Sequence, residues 1–510
     1  MQLRENQIEP VRKGIEFFQK KSAVPSLIVM PTAAGKSWVI AKIAESIEEP
    51  VLILQPSREL LKQNVEKFCA IGGACTVYSA SFNQKEISHV TYATIGSIKN
   101  DGAKFHAYGF KKVIIDEAHL YPRKSSSMLN QFLADAKING HVLGLTATPL
   151  KLQTLSFGSK LVMLTSKTKT KRFFHEIIHV CQVKEMIDAN YWSKLKYYLF
   201  DTKDGKLKFN STGAEYTEES LKNFYYDNNI EQKIIQSANR LREIGRTSVL
   251  IFVPSVKEAH NLSAQLPNSA VVSAQTPDKE RNYIIDQFKA KKIFAVVNVN
   301  VLSVGFDFPE LDNIICGRRT ASFAWYYQAL GRLTRIHPNK QEGWIIDYSG
   351  NVKRFGKIEA LVYRQEKQTW KLYGEGGRLI TGIYLQELGQ HTAETEALNM
   401  LNKDFKQPKP EKEIDINKWA KQNDRKHASQ ETMPYGKYQG YKIEDIPASY
   451  QEWMIKNWEW SSRNQWIKDK ILKIAEEKSK LDFGQPKQSL EEIQAYLRKQ
   501  VGYNGPVIKD

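Results

Sequence analysis

Cysteine is scarce in these 510 residues: Cys69, Cys75, Cys181 and Cys316 stand apart, with no C-x-x-C pair among them. Neither a zinc knuckle nor a disulfide framework is indicated, and a reducing compartment suits such a chain. Long apolar runs are also lacking, since nothing approaches the ~20 residues that span a bilayer. The opening MQLRENQIEP puts charges where a signal peptide needs an apolar stretch. The expectation is a soluble, intracellular protein with no membrane partner and no zinc. No internal repeat of solenoid length and no heptad run occurs, which argues against arrays and coiled coils. Acid does not prevail: 74 Lys+Arg against 56 Asp+Glu gives a net charge of +18. Spread along the chain, that surplus favours a polyanionic partner such as nucleic acid, with plain solubility as the bland alternative.

What the chain does contain is a repeated cadence. Short apolar, β-branched runs recur in the first 150 residues: SLIVM at 26–30, VLIL at 51–54, HVTYA at 89–93, KKVIID at 111–116 and HVLGLTA at 141–147. Helix-period stretches separate several of them, as at 38–47 and 59–68. The alternation predicts a parallel sheet covered on both faces. It returns with TSVLIFV at 247–253, AVVSA at 270–274, KIFAVVNV at 292–299, NIICG at 313–317 and GWIIDY at 343–348. Two α/β domains follow, at 1–150 and 246–350. A polar, less regular connector fills 151–245 and ends in a helix near 228–244. An accessory segment at 351–401, a charged, proline-containing linker at 402–415 and a small, mainly helical unit at 416–510 complete the chain.

The stretch SLIVM-PTAAGKS-WVIAKIAESI reads as strand, loop and amphipathic helix, the context a phosphate loop requires. Thr32, Ala33, Ala34, Gly35, Lys36 and Ser37 would form the loop, with backbone N–H groups of Ala34 to Ser37 facing phosphates at a helix N-terminus. Lys36 supplies a point charge and the Ser37 hydroxyl a ligand for Mg²⁺. Ala33 stands where a glycine is usual, and its methyl restricts φ. The other reading is a capped helix start without ligand.

In VIIDEAH at 113–119 a buried strand ends on Asp116 and Glu117, at the sheet edge where open α/β folds bind ligands. Asp116 is the candidate for Mg²⁺ and Glu117 for the base that activates water. LTATP at 145–149 follows another strand, and Thr146 and Thr148 either bridge the carboxylates to the second domain or make a turn before Pro149. In YYQALGRLTRIHP, the i, i+4 and i, i+3 steps place Gln328, Arg332 and Arg335 on one face of one helix.

PTAAGKS, DEAH and TAT, in this order, resemble motifs I, II and III of the superfamily 2 helicases and translocases. The resemblance implies two tandem RecA-like domains that bind ATP and Mg²⁺. LRENQIEPV is similar to that group's adenine-reading motif, with Gln7 as base reader and Arg4 beside it. QPSREL at 55–60 and YATIGSI at 92–98 resemble motifs Ia and Ib, making Ser57, Arg58 and Thr94 candidate backbone contacts. A turn or helix-cap role serves each equally well. LIFVPSVKEA resembles motif IV, with Ser255 near the nucleic acid. VNVNVLSVGFDFP resembles motif V, with Gly305 and Asp307 toward the nucleotide or the arginines and Asn298, Asn300 and Ser303 toward the strand. Q-x-x-G-R-x-x-R resembles motif VI, which implies that Arg332 and Arg335 reach the γ-phosphate in cis.

LREN, MPTAAGKSWVIAKIAE, VNVNVLSVGFDFPELDNI and YQALGRLTR are similar to the RadD-like bacterial repair helicases, over most of 1–350 apart from the connector. A bacterial or phage-infected cytoplasm fits that likeness, as do replication or recombination proteins as further partners. The cysteine-rich zinc modules of that branch are lacking here. Instead MPYGKYQGYKIEDIPASYQEWMIKNW at 433–458 resembles a small domain of exonuclease X-type proteins. Its Lys437, Tyr438, Lys442 and tryptophans would make either a nucleic-acid surface or the outside of a packed mini-core. The expected function is a DNA helicase or translocase that remodels branched or recombining DNA. An RNA helicase and a non-catalytic DNA-binding or recruiting factor stand as alternatives.

Overall fold

A computed structural model describes residues 3–121, 127–155, 158–166, 172–203, 207–302, 306–385, 387–388, 442–446, 451, 454–455 and 465–482. The chain divides into two compact units, Met1–Gln407 and Pro408–Asp510. In the first unit the chain opens with α1 (Glu5–Gln19), β1 (Ser26–Val29), α2 (Lys36–Glu45), β2 (Val51–Leu54), α3 (Arg58–Ala70), β3 (Thr76–Ser79), β4 (Gln84–Lys85) and β5 (Val90–Ala93). It continues through α4 (Ile95–Ile98), α5 (Gly102–Tyr108), β6 (Lys112–Ile115), α6 (Met128–Asp135) and β7 (Val142–Thr146). A hairpin, β8 (Leu150–Leu155) and β9 (Gly158–Met163), precedes β10 (Glu176–Val180).

These strands form a sheet ordered β10-β1-β7-β6-β2-β5-β3-β4, with the hairpin apart. Its pairings are parallel except between β3 and β4. β1, β2, β5 and β7 are buried at every position, which is why their sequences run apolar rather than alternating. Burying each such Leu, Ile or Val contributes about 1.5–3 kcal/mol relative to exposure.

The second sheet follows α7 (Val183–Asp188). Its elements are β11 (Lys194–Leu199), α8 (Glu218–Asp227), α9 (Ile230–Glu243), β12 (Val249–Phe252), α10 (Val256–Gln265), β13 (Ser269–Val272) and α11 (Asp278–Lys289). β14 (Ala295–Asn298), β15 (Asn313–Cys316), α12 (Phe323–Leu330), β16 (Glu342–Asp347) and α13 (Asn351–Phe355) complete it. The strand order is β11-β16-β15-β12-β14-β13, all parallel.

The stretch expected as a connector is more structured than its composition suggests. β10 adds to the edge of the first sheet beside β1, and β11 to the edge of the second beside β16. The chain therefore crosses between sheets over a short span around α7. A second hairpin, β17 (Val362–Glu366) and β18 (Thr369–Tyr373), is pinned near the crossing where Gln182 Nε2 donates to the Tyr363 carbonyl at 2.8 Å and the Tyr363 N–H returns to Gln182 Oε1 at 3.1 Å.

In the second unit, helix Gln465–Asp482 and the turn at Ile443–Asp445 share a small core of Ile443, Ile446, Met454, Ile467, Ile471 and Ile474. Gln451 Nε2 donates to the carbonyls of Ile443 and Ile446 at 2.9 and 2.8 Å. Lys442 is exposed; Lys437, Tyr438, Trp453, Trp458 and the linker at 402–415 lie outside the described residues. Among the described residues no helix is long and apolar enough to cross a membrane.

Candidate active site

The phosphate-type loop runs from the end of β1 into α2. It is tied to the neighbouring strand end by Met30 N–H donating to the Thr146 carbonyl at 3.0 Å. Gly35, at φ +83°, is the left-handed residue that turns the chain into the helix. A Cβ there would sit 2.1 Å from Gln7 Nε2, so any side chain would push the Gln7 amide off the loop. Ala33 also takes positive φ, +60°.

Gln7, expected to read a base, has both ends of its amide engaged. Nε2 donates to the Ala34 carbonyl at 3.0 Å, and Oε1 accepts the Arg4 N–H at 3.0 Å. Asn6 Nδ2 reaches the same Ala34 carbonyl at 3.1 Å. The side chains of α1 thus brace the loop. Arg4 stacks over the Tyr191 ring, its guanidinium 4.9 Å from the centroid.

β6 delivers the acids. Asp116 is 3% exposed; its Oδ2 accepts from Asn64 Nδ2 at 3.0 Å and its Oδ1 from the Glu117 N–H at 2.9 Å. Burial, reinforced by the charge of Glu117, pushes its carboxyl up to about 6. Glu117, at φ +46°, faces Lys36, with Nζ to Oε1 at 3.4 Å. Burial pushes Glu117 up, but Lys36, His119 and Arg332 outweigh it and hold the carboxyl below its ordinary value.

The threonines of LTATP do not meet the carboxylates directly. His119 stands between: Nδ1 lies 2.9 Å from Thr146 Oγ1, and Nε2 lies 3.3 Å from Gln328 Nε2. Thr148 N–H donates to Thr146 Oγ1 at 3.1 Å. Gln328 Nε2 also donates to Glu117 Oε2 at 3.3 Å, so α12 of the second sheet touches the acid of the first. Burial depresses the His119 imidazolium against the pull of Glu117, and the ring links Thr146 to Gln328.

The expectation that Gln328, Arg332 and Arg335 ride one helix is corrected. α12 ends at Leu330, and both arginines follow in a turn. Gly331, where the helix ends, lies against the loop, and a Cβ there would come 2.6 Å from Thr32 Oγ1, so only a glycine fits this contact. Thr334 Oγ1 donates to the Gly331 carbonyl at 2.9 Å, and Lys340 Nζ to that of Leu333 at 2.9 Å, fixing the turn. The guanidinium groups still converge. Arg332 donates to the Phe306 carbonyl at 2.7 Å, and Arg335 Nε lies 3.0 Å from Asp307 Oδ1. Burial, with Arg335 beside it, pulls Arg332 down to about 9 against Glu117 and Asp307.

Between the walls lies a cavity of about 430 Å³, lined by Arg4, Gln7, Thr32, Ala33, Gly35, Lys36, Ser37, Asp116, Glu117, Asp307, Gln328, Arg332 and Arg335. Its size suits a small-molecule ligand. The crossing segment joins both walls: Trp192 Nε1 donates to the Thr32 carbonyl at 3.0 Å, and Ser193 Oγ to that of Arg335 at 2.7 Å. Sequence reasoning missed Asn64, His119 as a relay, Tyr191 and Trp192. Only His119, inside DEAH, carried a local signal.

The candidate nucleic-acid residues do not cluster as one set of free groups. Ser57 caps α3 by accepting the Leu60 N–H at 3.3 Å, Ser255 donates to Glu258, and Thr94 Oγ1 lies 2.9 Å from Ser97 Oγ. Asn298 is fully buried, its Oδ1 accepting the N–H groups of Val301 and Leu302 at 3.3 and 3.0 Å, so it holds a loop rather than facing a strand. Asn300 is exposed at φ +62°. Arg58 is exposed and reaches Asp278 Oδ2 across the cleft at 3.7 Å. Ser303 and Gly305 lie outside the described residues.

Residues 1–151 match the family described as type III restriction enzyme, res subunit, and residues 232–337 the helicase conserved C-terminal domain. Residues 421–460 match a family described as putative quorum-sensing-regulated virulence factor. Putative helicase 22 of a Sulfolobus islandicus filamentous virus is 26% identical over 65% of this chain and 61% of its own length. A protein named DNA 3'-5' translocase XPB2, from Sulfurisphaera tokodaii, is 24% identical over 66% of this chain and 79% of its own. A fragment of a putative HsdR subunit of a type I restriction enzyme from Vibrio vulnificus shares the fold, with TM-score 0.51 and 18% identity over 69% of this chain and 65% of its own.

Two RecA-like parallel-sheet domains facing one cleft, with these matches, define an ATP-hydrolysing, nucleic-acid-dependent helicase or translocase. Within that class the chain is a superfamily 2 helicase.

Proposed function

We propose that the chain is a DNA helicase or translocase that remodels branched or recombining DNA in repair, recombination or replication, in the manner of the RadD-like branch. The observation that carries the chemistry is the opposition of Lys36, Asp116 and Glu117 on one wall to Arg332 and Arg335 on the other. The net charge of +18 suits a nucleic acid of either kind, and DNA rather than RNA is favoured by the relative named as a DNA translocase.

The donors fit ATP with Mg²⁺. Lys36 is paired with Glu117, while Asp116 is a buried carboxyl whose oxygens, among the described residues, accept from an amide and an N–H, so it calls for a cation. Its oxygens and the nearby Ser37 hydroxyl are hard ligands, and no group of three or more metal-binding side chains exists among the described residues. That suits Mg²⁺, which uses one or two protein ligands and takes the rest from phosphates and water. When bound, the ion would neutralise charge developing on the phosphates.

The chain's own residues do the rest. Ala34 to Ser37 and Lys36 hold the β and γ phosphates, with Thr32 and Ala33 shaping the loop. Arg4 and Gln7 close the base end. Glu117 is left ionised and takes the proton of the attacking water. Gln328 spans from Glu117 to His119, so it assembles only when the walls approach. Arg332 and Arg335, aligned by Asp307 and by the Phe306 carbonyl, stabilise the charge on the transferred phosphoryl group. Loss of the γ-phosphate releases that bridge, and alternate closing and opening moves the two grips on the strand. Ser57, Arg58, Thr94, Ser255, Asn300 and Ser303 would supply those grips, and the basic C-terminal unit, with its exonuclease X-type likeness, a further nucleic-acid surface.

The test is an ATPase panel with no nucleic acid, single-stranded DNA, duplex DNA, forked DNA and RNA. Stimulation greatest with forked DNA, and lost in Lys36→Ala and Glu117→Gln by about 10²–10⁴-fold, is expected. Greater stimulation by RNA would overturn the DNA assignment. Binding of DNA without any turnover would favour a recruiting factor.

A further inference from the structure

Besides the phosphate-type loop and the two acids, the first-sheet wall of the cleft includes one face of α3. α3 turns Leu60, Gln63 and Lys67 into the cavity, and Asn64 shares that face at i, i+3 spacing from Lys67. Asn64 is 1% exposed, and its bond to Asp116 locks the rotation of the helix against the acids. That fixes Lys67 above the reacting end of the cleft.

The Lys67 ammonium is held apart from the pairing seen in its neighbours. Lys36 has Glu117 and Arg335 has Asp307, but Lys67 makes no ion pair among the described residues. Burial depresses its charge; Asp307 pulls it back up, Arg335 pushes it down, Asp116 pulls up and Lys36 pushes down. A half-buried ammonium without a partner is costly, and it is offset where an anion completes the site. A triphosphate whose last phosphate lies beside Asp116 and Glu117 presents such an anion.

We propose that Lys67 is a nucleotide-binding residue that holds the terminal phosphate from the first-sheet wall, opposite Arg332 and Arg335. This rests on the assignment of the cleft to ATP. Contact with the terminal phosphate alone makes Lys67 a discriminator between the triphosphate and diphosphate states, with the loop and Lys36 gripping both. Release of inorganic phosphate would then free α3 at the same moment as the arginines.

The measurement is equilibrium binding of a non-hydrolysable ATP analogue and of ADP, each with Mg²⁺, to the full chain as wild type, Lys67→Ala, Lys67→Arg and Lys36→Ala. Lys67→Ala should weaken the analogue about tenfold and ADP less than about twofold, and Lys67→Arg should recover part of the loss. Equal losses for both nucleotides, or none for either, would overturn the role of Lys67. Should Lys67→Ala fail to fold, Lys67→Met keeps the aliphatic stem and carries the same comparison. Lys36→Ala is the separate control: it should weaken both nucleotides, and undiminished binding of both would overturn the assignment of the cleft itself.

Discussion

On the first-sheet side of the cleft the charged groups sit where strands end, each braced within its own wall; on the second-sheet side they sit in a turn beyond a helix. Lys36 follows β1, Asp116 follows β6, and Thr146 closes β7, while Gln7, Asn64 and His119 hold them in place. Arg332 and Arg335 lean on the Phe306 carbonyl and Asp307, their turn secured by Lys340 and Ser193. A parallel sheet buried on both faces is rigid, so its edge suits groups that must bind nucleotide at all times. A turn after a helix is suited to groups needed only on closure. On the proposed function, the difference assigns binding and acceleration to different walls.

The largest expected effect breaks or upholds that division. Arg332→Ala should lower kcat by about 10³-fold or more, while ADP and ATP-analogue affinities stay within about threefold, since the binding wall is untouched. Steady-state turnover and equilibrium binding on the same preparations check it. A variant that loses both together would mean that the second wall also does the holding.

A middle-sized effect lies where the walls are joined. Trp192 is buried, and its indole N–H is the donor to the Thr32 carbonyl; the next residue, Ser193, holds the backbone of Arg335 and Thr334. Trp192→Phe leaves that carbonyl unsatisfied, at about 1–3 kcal/mol of stability, read by denaturant unfolding. Because it cuts only the loop side of the link, basal ATPase should persist while stimulation by forked DNA drops about threefold. Unchanged stimulation would place the coupling elsewhere.

How much of this was legible beforehand depends on whether a residue's partner is local. β1, β2, β5, β6 and β7 were readable because strands covered on both faces run apolar without a break. β10, EIIHV, and β11, KLKYYL, are partly exposed edge strands whose polar residues hid them in a stretch that looks like connector. The face of α12 was inferred from helical spacing, and spacing cannot foresee that the helix stops at Leu330, where Gly331 lies against Thr32. Gln7 was expected to read a base, and an amide's sequence position does not say that it will instead choose the Ala34 carbonyl. Asn64 and Lys67 are ordinary polar residues on a helix until the fold turns that face toward Asp116.

The smallest effect tests the most unusual letter of the loop. Ala33 occupies φ +60°, where an L-residue with a Cβ is strained by about 1–2 kcal/mol. Ala33→Gly removes that strain but frees the unfolded chain, at about 0.5–1 kcal/mol. The two partly cancel, so stability should rise by between zero and about 1.5 kcal/mol, measured by denaturant unfolding. Nucleotide affinity should move less than about twofold, because the N–H groups of Ala34 to Ser37 keep their places through Gln7, Asn6 and the start of α2. A large loss of affinity in Ala33→Gly would show that the methyl group, not these tethers, holds the loop open, and that the first wall is less self-braced than its hydrogen bonds indicate.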